Sequence, residues 1–135
     1  MSLITWSNNY STGVKEIDDQ HKNLIAIINE LHDAMAAGHG KEAVGKCLDK
    51  LIDYTVYHFG TEERLMNTHG YSEHRLHEIE HKKLVKTASE LHASFKTNPA
   101  GLTLKTMYFL KDWLNNHILG SDVKFGKFLN SRGVT

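Results

Sequence analysis

His58 and Glu62 stand four residues apart in the stretch His58-Phe59-Gly60-Thr61-Glu62-Glu63. Helical residues at that spacing project from one face, so this stretch offers an imidazole and a carboxylate together to a space the size of a metal ion. His77 and His81 repeat the spacing with two imidazoles. Further donors stand towards the chain ends: His21, and His117 five residues before Asp122. Each alone is ordinary, since an i,i+4 His–Glu pair is common on helix surfaces and a lone helical histidine usually packs or faces water. The seven mean something only if the chain brings them to one place.

Apolar spacing predicts four helices to do so. From Asp18, a suitable N-cap, to Gly38, the residues Leu24, Ile28, Leu31 and Met35 form one stripe that also carries His21. A second helix from Lys41 to Met66 places Val44, Leu48, Leu51, Thr55, His58, Glu62 and Leu65 on one face. Ser72 is suited to cap a third, with His77, His81, Leu84, Ala88, Leu91 and Phe95 inward, until Asn98-Pro99 stops it. The fourth runs from Gly101 to Leu119 with Leu102, Thr106, Phe109, Trp113 and His117 inward, and Gly120 is expected to break it and let the Asp122 carboxylate fold back. Residues 1–17 read as an extended arm anchored by Trp6, Tyr10, Val14 and Ile17. Residues 120–135 read as a tail with a short amphipathic helix from Val123 to Leu129.

No strand pattern interrupts these helices. The expectation is an all-α, up-down-up-down antiparallel four-helix bundle over residues 18–119, within a single domain spanning 1–135. The candidate ligands can be tested against it. His21 lies 18 residues before His39, the centre of the first turn, and His58 lies 19 after it. Around Gly70, Glu62 is 8 before and His77 is 7 after, while His58 is 12 before and His81 is 11 after. Around Asn98, His81 is 17 before and His117 is 19 after. In an antiparallel bundle all four helices therefore deliver donors to one level, although the helices were assigned from apolar spacing and turn residues.

Composition removes several alternatives. Lys plus Arg and Asp plus Glu both total 16, so the formal net charge is zero, and no basic stripe is present to bind nucleic acid or an anionic membrane. No run approaches the roughly 20 apolar residues of a membrane span, and the N-terminus has no signal-peptide pattern. Cys47 is the one cysteine, which excludes an internal disulfide and fits a reducing compartment, so the cytoplasm is expected. Evenly charged outer faces point to a monomer. Ten histidines are more than packing needs. Of these, His32, His39, His69, His74 and His92 fall in turns or off the shared level, and Glu63 is expected to face solvent or a ligand's outer side. Met35, Met66, Met107 and Cys47 read as core filler.

Seven donors exceed the needs of one tetrahedral zinc, and calcium or magnesium would favour oxygens throughout. A pair of octahedral irons fits better. Five imidazoles, two carboxylates bridging both metals and one solvent-derived bridge leave one position of two octahedra open, and a small ligand binds at an open position.

The combination Trp6, Tyr10, Gly13-Val14, Ile17-Asp18-x-Gln20-His21-Lys22, His58-Phe59-x-x-Glu62-Glu63-x-x-Met66, His77-x-x-x-His81 and Trp113-Leu114-x-x-His117-Ile118-x-x-x-Asp122 resembles the hemerythrins, in particular the single-domain bacteriohemerythrins. The resemblance covers nearly the whole chain. It implies reversible dioxygen binding at two non-haem iron ions with an oxo or hydroxo bridge. One iron would take His77, His81 and His117, the other His21, His58 and the open position, with Glu62 and Asp122 bridging. Leu24, Phe59, Trp113, Leu114 and Ile118 match the family's apolar oxygen pocket. The implied role is an intracellular oxygen carrier, store or supplier, with an oxygen-consuming enzyme as a further partner. Alternatives are an oxygen sensor, for which 135 residues leave no room for a fused signalling domain, and a di-iron enzyme consuming peroxide or nitric oxide. Ferritin-like oxidases carry more carboxylates and two Glu-x-x-His motifs, so five histidines with two carboxylates favour binding over catalysis.

Overall fold

Apolar stripes at helical spacing need a partner face, and the chain supplies it by folding back on itself three times. The computed structural model describes residues 3–38 and 40–135; His39, the expected centre of the first turn, lies outside the described residues. The main helices are α1 (Lys15–Ala36), α2 (Lys41–His69), α3 (His74–Thr97) and α4 (Leu104–Asn116). A π-helical turn, His117–Asp122, carries α4 directly into α5 (Val123–Ser131), and short 3-10 turns occur at Asn8–Tyr10 and Pro99–Gly101. There is no strand among the described residues. The architecture is an antiparallel four-helix bundle with an N-terminal arm and a short C-terminal helix.

Four expectations need correction. Asp18 is not the N-cap of α1, which begins at Lys15. Its carboxylate lies in the first turn and reaches back, accepting from the Thr12 amide at 2.8 Å, the Thr12 hydroxyl at 2.8 Å and the Ser11 hydroxyl at 2.6 Å, so it ties down the arm. Ser72 does not cap α3, which starts at His74 without a side-chain cap. Gly120 does not break the fourth helix, because the wider π turn absorbs the change of pitch and the helix continues. The inward face of α4 is also turned by about one residue: Met107, Leu110 and Leu114 are buried, Leu102, Thr106 and Trp113 are half-buried, and Phe109 is 54% exposed. Both stripes lead to His117, which is four residues past Trp113 and three past Leu114, so the ligand end of the helix was legible while its far end was not.

The apolar residues form two clusters. The larger joins Leu24, Ile28, Leu31, Leu48, Leu51, Leu110, Leu114 and their neighbours through the length of the bundle. The smaller joins Val14, Ile17, Met66, Tyr71, Phe125 and Leu129 where the arm and α5 close one end. That closure depends on Gly126, where an added Cβ would lie 2.0 Å from the Thr12 carbonyl oxygen. At the α2–α3 turn, Gly70 adopts φ +67° and Tyr71 donates its amide to the Met66 carbonyl at 3.0 Å, a left-handed helix ending that favours glycine.

Candidate metal centre

Between the two clusters lies a polar layer. His21 on α1, His58 and Glu62 on α2, His77 and His81 on α3, and His117 and Asp122 at the two ends of the π turn are all buried, none more than 3% exposed. The π turn explains how Asp122 arrives. Five residues of α-helix would leave it about 140° from His117, whereas an i→i+5 turn returns it to nearly the same face. Sequence reasoning found the residue but attributed its return to a helix break.

All five imidazoles present Nε2 to the carboxylates. Asp122 divides its oxygens: Oδ1 lies 2.7 Å from His77 Nε2 and 3.1 Å from His117 Nε2, while Oδ2 lies 2.9 Å from His21 Nε2. Glu62 Oε1 lies 3.1 Å from His81, 3.6 Å from His58 and 3.8 Å from His77, and Oε2 lies 3.9 Å from His21. The donors fall into two overlapping groups, Glu62, His77, His81, His117 and Asp122 in one and His21, His58, Glu62 and Asp122 in the other, with the donor atoms of each within 4.8 Å of one another. The two carboxylates belong to both.

The electrostatics ask for positive charge. Burial pushes the imidazoles of His58 and His81 down, to about 4 and about 3. Burial also pushes His21 and His117 down, but the Asp122 carboxylate beside them more than reverses it and takes His117 up to about 10. Glu62 is raised by burial and by the charge of Asp122; Asp122, despite its burial, is held well below the usual carboxylate range by His117, His21 and His77. Both oxygens of Glu62, Oδ2 of Asp122 and Nε2 of His21, His58, His81 and His117 are buried without a hydrogen bond, although several lie near one another. Lone pairs that converge on shared space rather than pairing are costly to bury. A divalent cation in each group would resolve them and displace the protons, so this donor set fits a pair of metal ions.

The layer's supports were not all foreseen. Gln20 accepts a hydrogen bond from His58 Nδ1 at 2.7 Å, and Glu80 Oε1 lies 3.3 Å from His117 Nδ1. Each interrupts an apolar stripe, Gln20 between Ile17 and Leu24 and Glu80 between His77 and Leu84, and that interruption was the available signal. Of the remaining histidines, His92 pairs with Asp49, His32 lies 3.7 Å from Asp33, and His74 Nδ1 meets the Tyr71 carbonyl, all outside the layer.

An apolar cavity of about 20 Å³ adjoins the layer. Its first ring, Leu24, Thr55, Leu84 and Leu114, stands one helical turn from His21, His58, His81 and His117; its second ring, Ile28, Leu51, Ala88 and Leu110, stands one turn further on. The Thr55 hydroxyl is turned onto the Leu51 carbonyl at 2.6 Å, which leaves the wall without a free polar group of its own. Phe59 stacks on His81 at 3.7 Å between centroids and Trp113 on His117 at 4.7 Å, so both rings cover donor histidines as well as line the cavity. Ile118 is fully buried but lies outside this lining.

A family model described as the hemerythrin HHE cation binding domain matches residues 12–129. A bacteriohemerythrin of Methylococcus capsulatus is 41% identical over 132 residues, which span 97% of this chain and 100% of that relative. A bacteriohemerythrin of Pseudomonas aeruginosa is 37% identical over 128 residues, covering 93% and 80% of the two chains. The crystal structure of a wild-type hemerythrin superposes with a TM-score of 0.88 at 40% identity, over 95% of this chain and 98% of that one. Fold, donor layer and likeness along the chain agree, and the chain belongs to the hemerythrin family.

Proposed function

We propose that residues 1–135 act as one dioxygen-binding unit with two non-haem irons in the polar layer, serving as a carrier, store or supplier of oxygen in the cytoplasm. The observation that carries this reading is that Glu62 and Asp122 belong to both a three-histidine and a two-histidine group, with Asp122 turning one oxygen to each. Glu62 and Asp122 would serve both metals, His77, His81 and His117 would hold one, and His21 and His58 the other, whose smaller donor set would leave room for a ligand. When bound, the metals would supply the reversible electron transfer that dioxygen binding needs. The chain supplies the rest. Leu24, Phe59, Trp113 and Leu114 hold a dry space with room for a diatomic molecule beside the layer. The same wall keeps water and external acids from the bound ligand, which favours release unchanged over reduction. No Lys or Arg lines the cavity to bind a charged substrate.

The test is optical. Iron-loaded protein, reduced under argon, is exposed to air and then stripped of oxygen. A visible charge-transfer band that rises and falls over repeated cycles supports reversible binding. A single irreversible passage to a stable oxidised spectrum, with peroxide or nitric oxide consumed at enzyme-like rates, would replace this reading with a di-iron enzyme.

A further inference from the structure

Each donor group contains one histidine whose outer nitrogen is held by another side chain, and the two holders differ in charge. His117 Nδ1 faces the Glu80 carboxylate, which the Ser121 hydroxyl secures by hydrogen bonds of 2.9 Å to both oxygens. His58 Nδ1 donates to the Gln20 amide oxygen at 2.7 Å. The orientation of that amide is fixed, since Gln20 Nε2 donates to the Thr61 hydroxyl at 3.3 Å and the hydroxyl donates to the Tyr57 carbonyl at 3.3 Å. The outer nitrogens of His21 and His81 are buried without a partner. The three-histidine group is therefore supported by an anion and the two-histidine group by a neutral dipole.

We propose that Glu80 and Gln20 make the two metal positions unequal, Glu80 positioning His117 and enriching it as a donor so that the three-histidine position binds metal more tightly, while Gln20 orients His58 without adding charge. A carboxylate accepting the Nδ1 proton stabilises the positive charge an imidazole acquires on donating Nε2 to a metal, which raises its strength as a ligand; an amide only fixes the ring. The position with fewer histidines, where a ligand would bind, would then also be the more weakly held one, with the other metal kept anchored. The inference rests on the two-metal reading above.

Ligand number alone favours the three-histidine position, so the order of filling does not test Glu80. The size of the gap does. The metal-free chain titrated with Co(II) and followed by absorbance, against a competing chelator, should bind in two resolved steps. E80Q keeps the shape and the acceptor but removes the charge, and it should weaken the tighter step by about 10- to 100-fold while leaving the weaker step within about twofold. S121A, which frees Glu80 without touching His117, should shift the same step in the same direction by less. Q20E should strengthen the weaker step and narrow the gap. Thermal unfolding of each metal-free variant measures the contribution of folding separately. Equal weakening of both steps by E80Q, or no change in either, overturns the proposal while leaving the two-metal reading intact. A wild-type chain that binds no Co(II) overturns both.

Discussion

On one side of the polar layer Ile17, Phe125 and Leu129 have no exposure and Met66 has 1%, with Tyr71 packed on Phe125 and Phe128 at centroid distances of 4.8 and 4.9 Å. On the other side Leu24, Thr55, Leu84 and Leu114 enclose a cavity of about 20 Å³. Both walls are apolar, yet one is packed with Tyr71, Phe125 and aliphatic side chains to full burial, while the other, lined by leucines with Phe59 and Trp113, keeps room. The filled side holds the geometry: Phe125 lies edge-on to His77 at 5.8 Å between centroids, and it is where the arm and α5 close the bundle. The open side provides for a small guest. A donor layer between two equally filled walls would hold metal and admit nothing.

Disturbing the layer itself should have the largest effect. Glu62→Ala removes a donor shared by both groups, and iron content should fall from two per chain to below one, read by metal analysis of the purified protein. Next comes the filled wall. Phe125→Ala leaves a void beneath the layer and should cost about 3–5 kcal/mol of stability in denaturant unfolding, with iron content reduced because His77 loses the ring it packs against. A smaller change follows on the open wall, where Leu24→Ser brings a hydroxyl beside His21. It should shorten the lifetime of the oxygenated form several-fold with little change in iron content, and an unchanged lifetime would show that dryness of this wall does not protect the bound ligand.

The last prediction concerns pH and the metal-free protein. His58 and His81 titrate below the ordinary 6.5 in the folded chain, at about 4 and about 3, so the unfolded chain takes up protons first and their contribution is lost as pH falls from 6.5 towards those values. His117 titrates at about 10, so its contribution is complete below 6.5 and is lost as pH rises towards 10. The contribution of these three histidines to the metal-free chain should therefore be greatest near pH 6.5 and decline on both sides. A bound metal replaces the proton of His117, so the alkaline decline should flatten on loading, and melting curves across pH with and without metal check this.

The contrast between the walls also marks where the sequence was legible. The level of the layer could be read because the three turns expected around His39, Gly70 and Asn98 set distances that antiparallel helices must match, and donor spacing then followed from helical geometry. The π turn could not, because no residue type marks it; Gly120 looked like a break, although the backbone continues through it. The phase of α4 was misread because Phe109 and Trp113 are large and apolar at one stripe while Met107, Leu110 and Leu114 form another, and only the neighbouring helices select between them. Gln20 and Glu80 were visible as polar residues on apolar stripes, but which histidine each supports depends on contacts between helices. That one wall is filled and the other open is a matter of volumes across elements, beyond any spacing rule.

The most direct test of the account is a crystal structure of the iron-loaded chain with anomalous scattering measured at the iron edge. Two peaks should lie inside the bundle, both within ligand distance of Glu62 and Asp122, one against His77, His81 and His117 and the other against His21 and His58 with its remaining position free. A single peak, or a second that shares neither carboxylate, would contradict the two-metal layer.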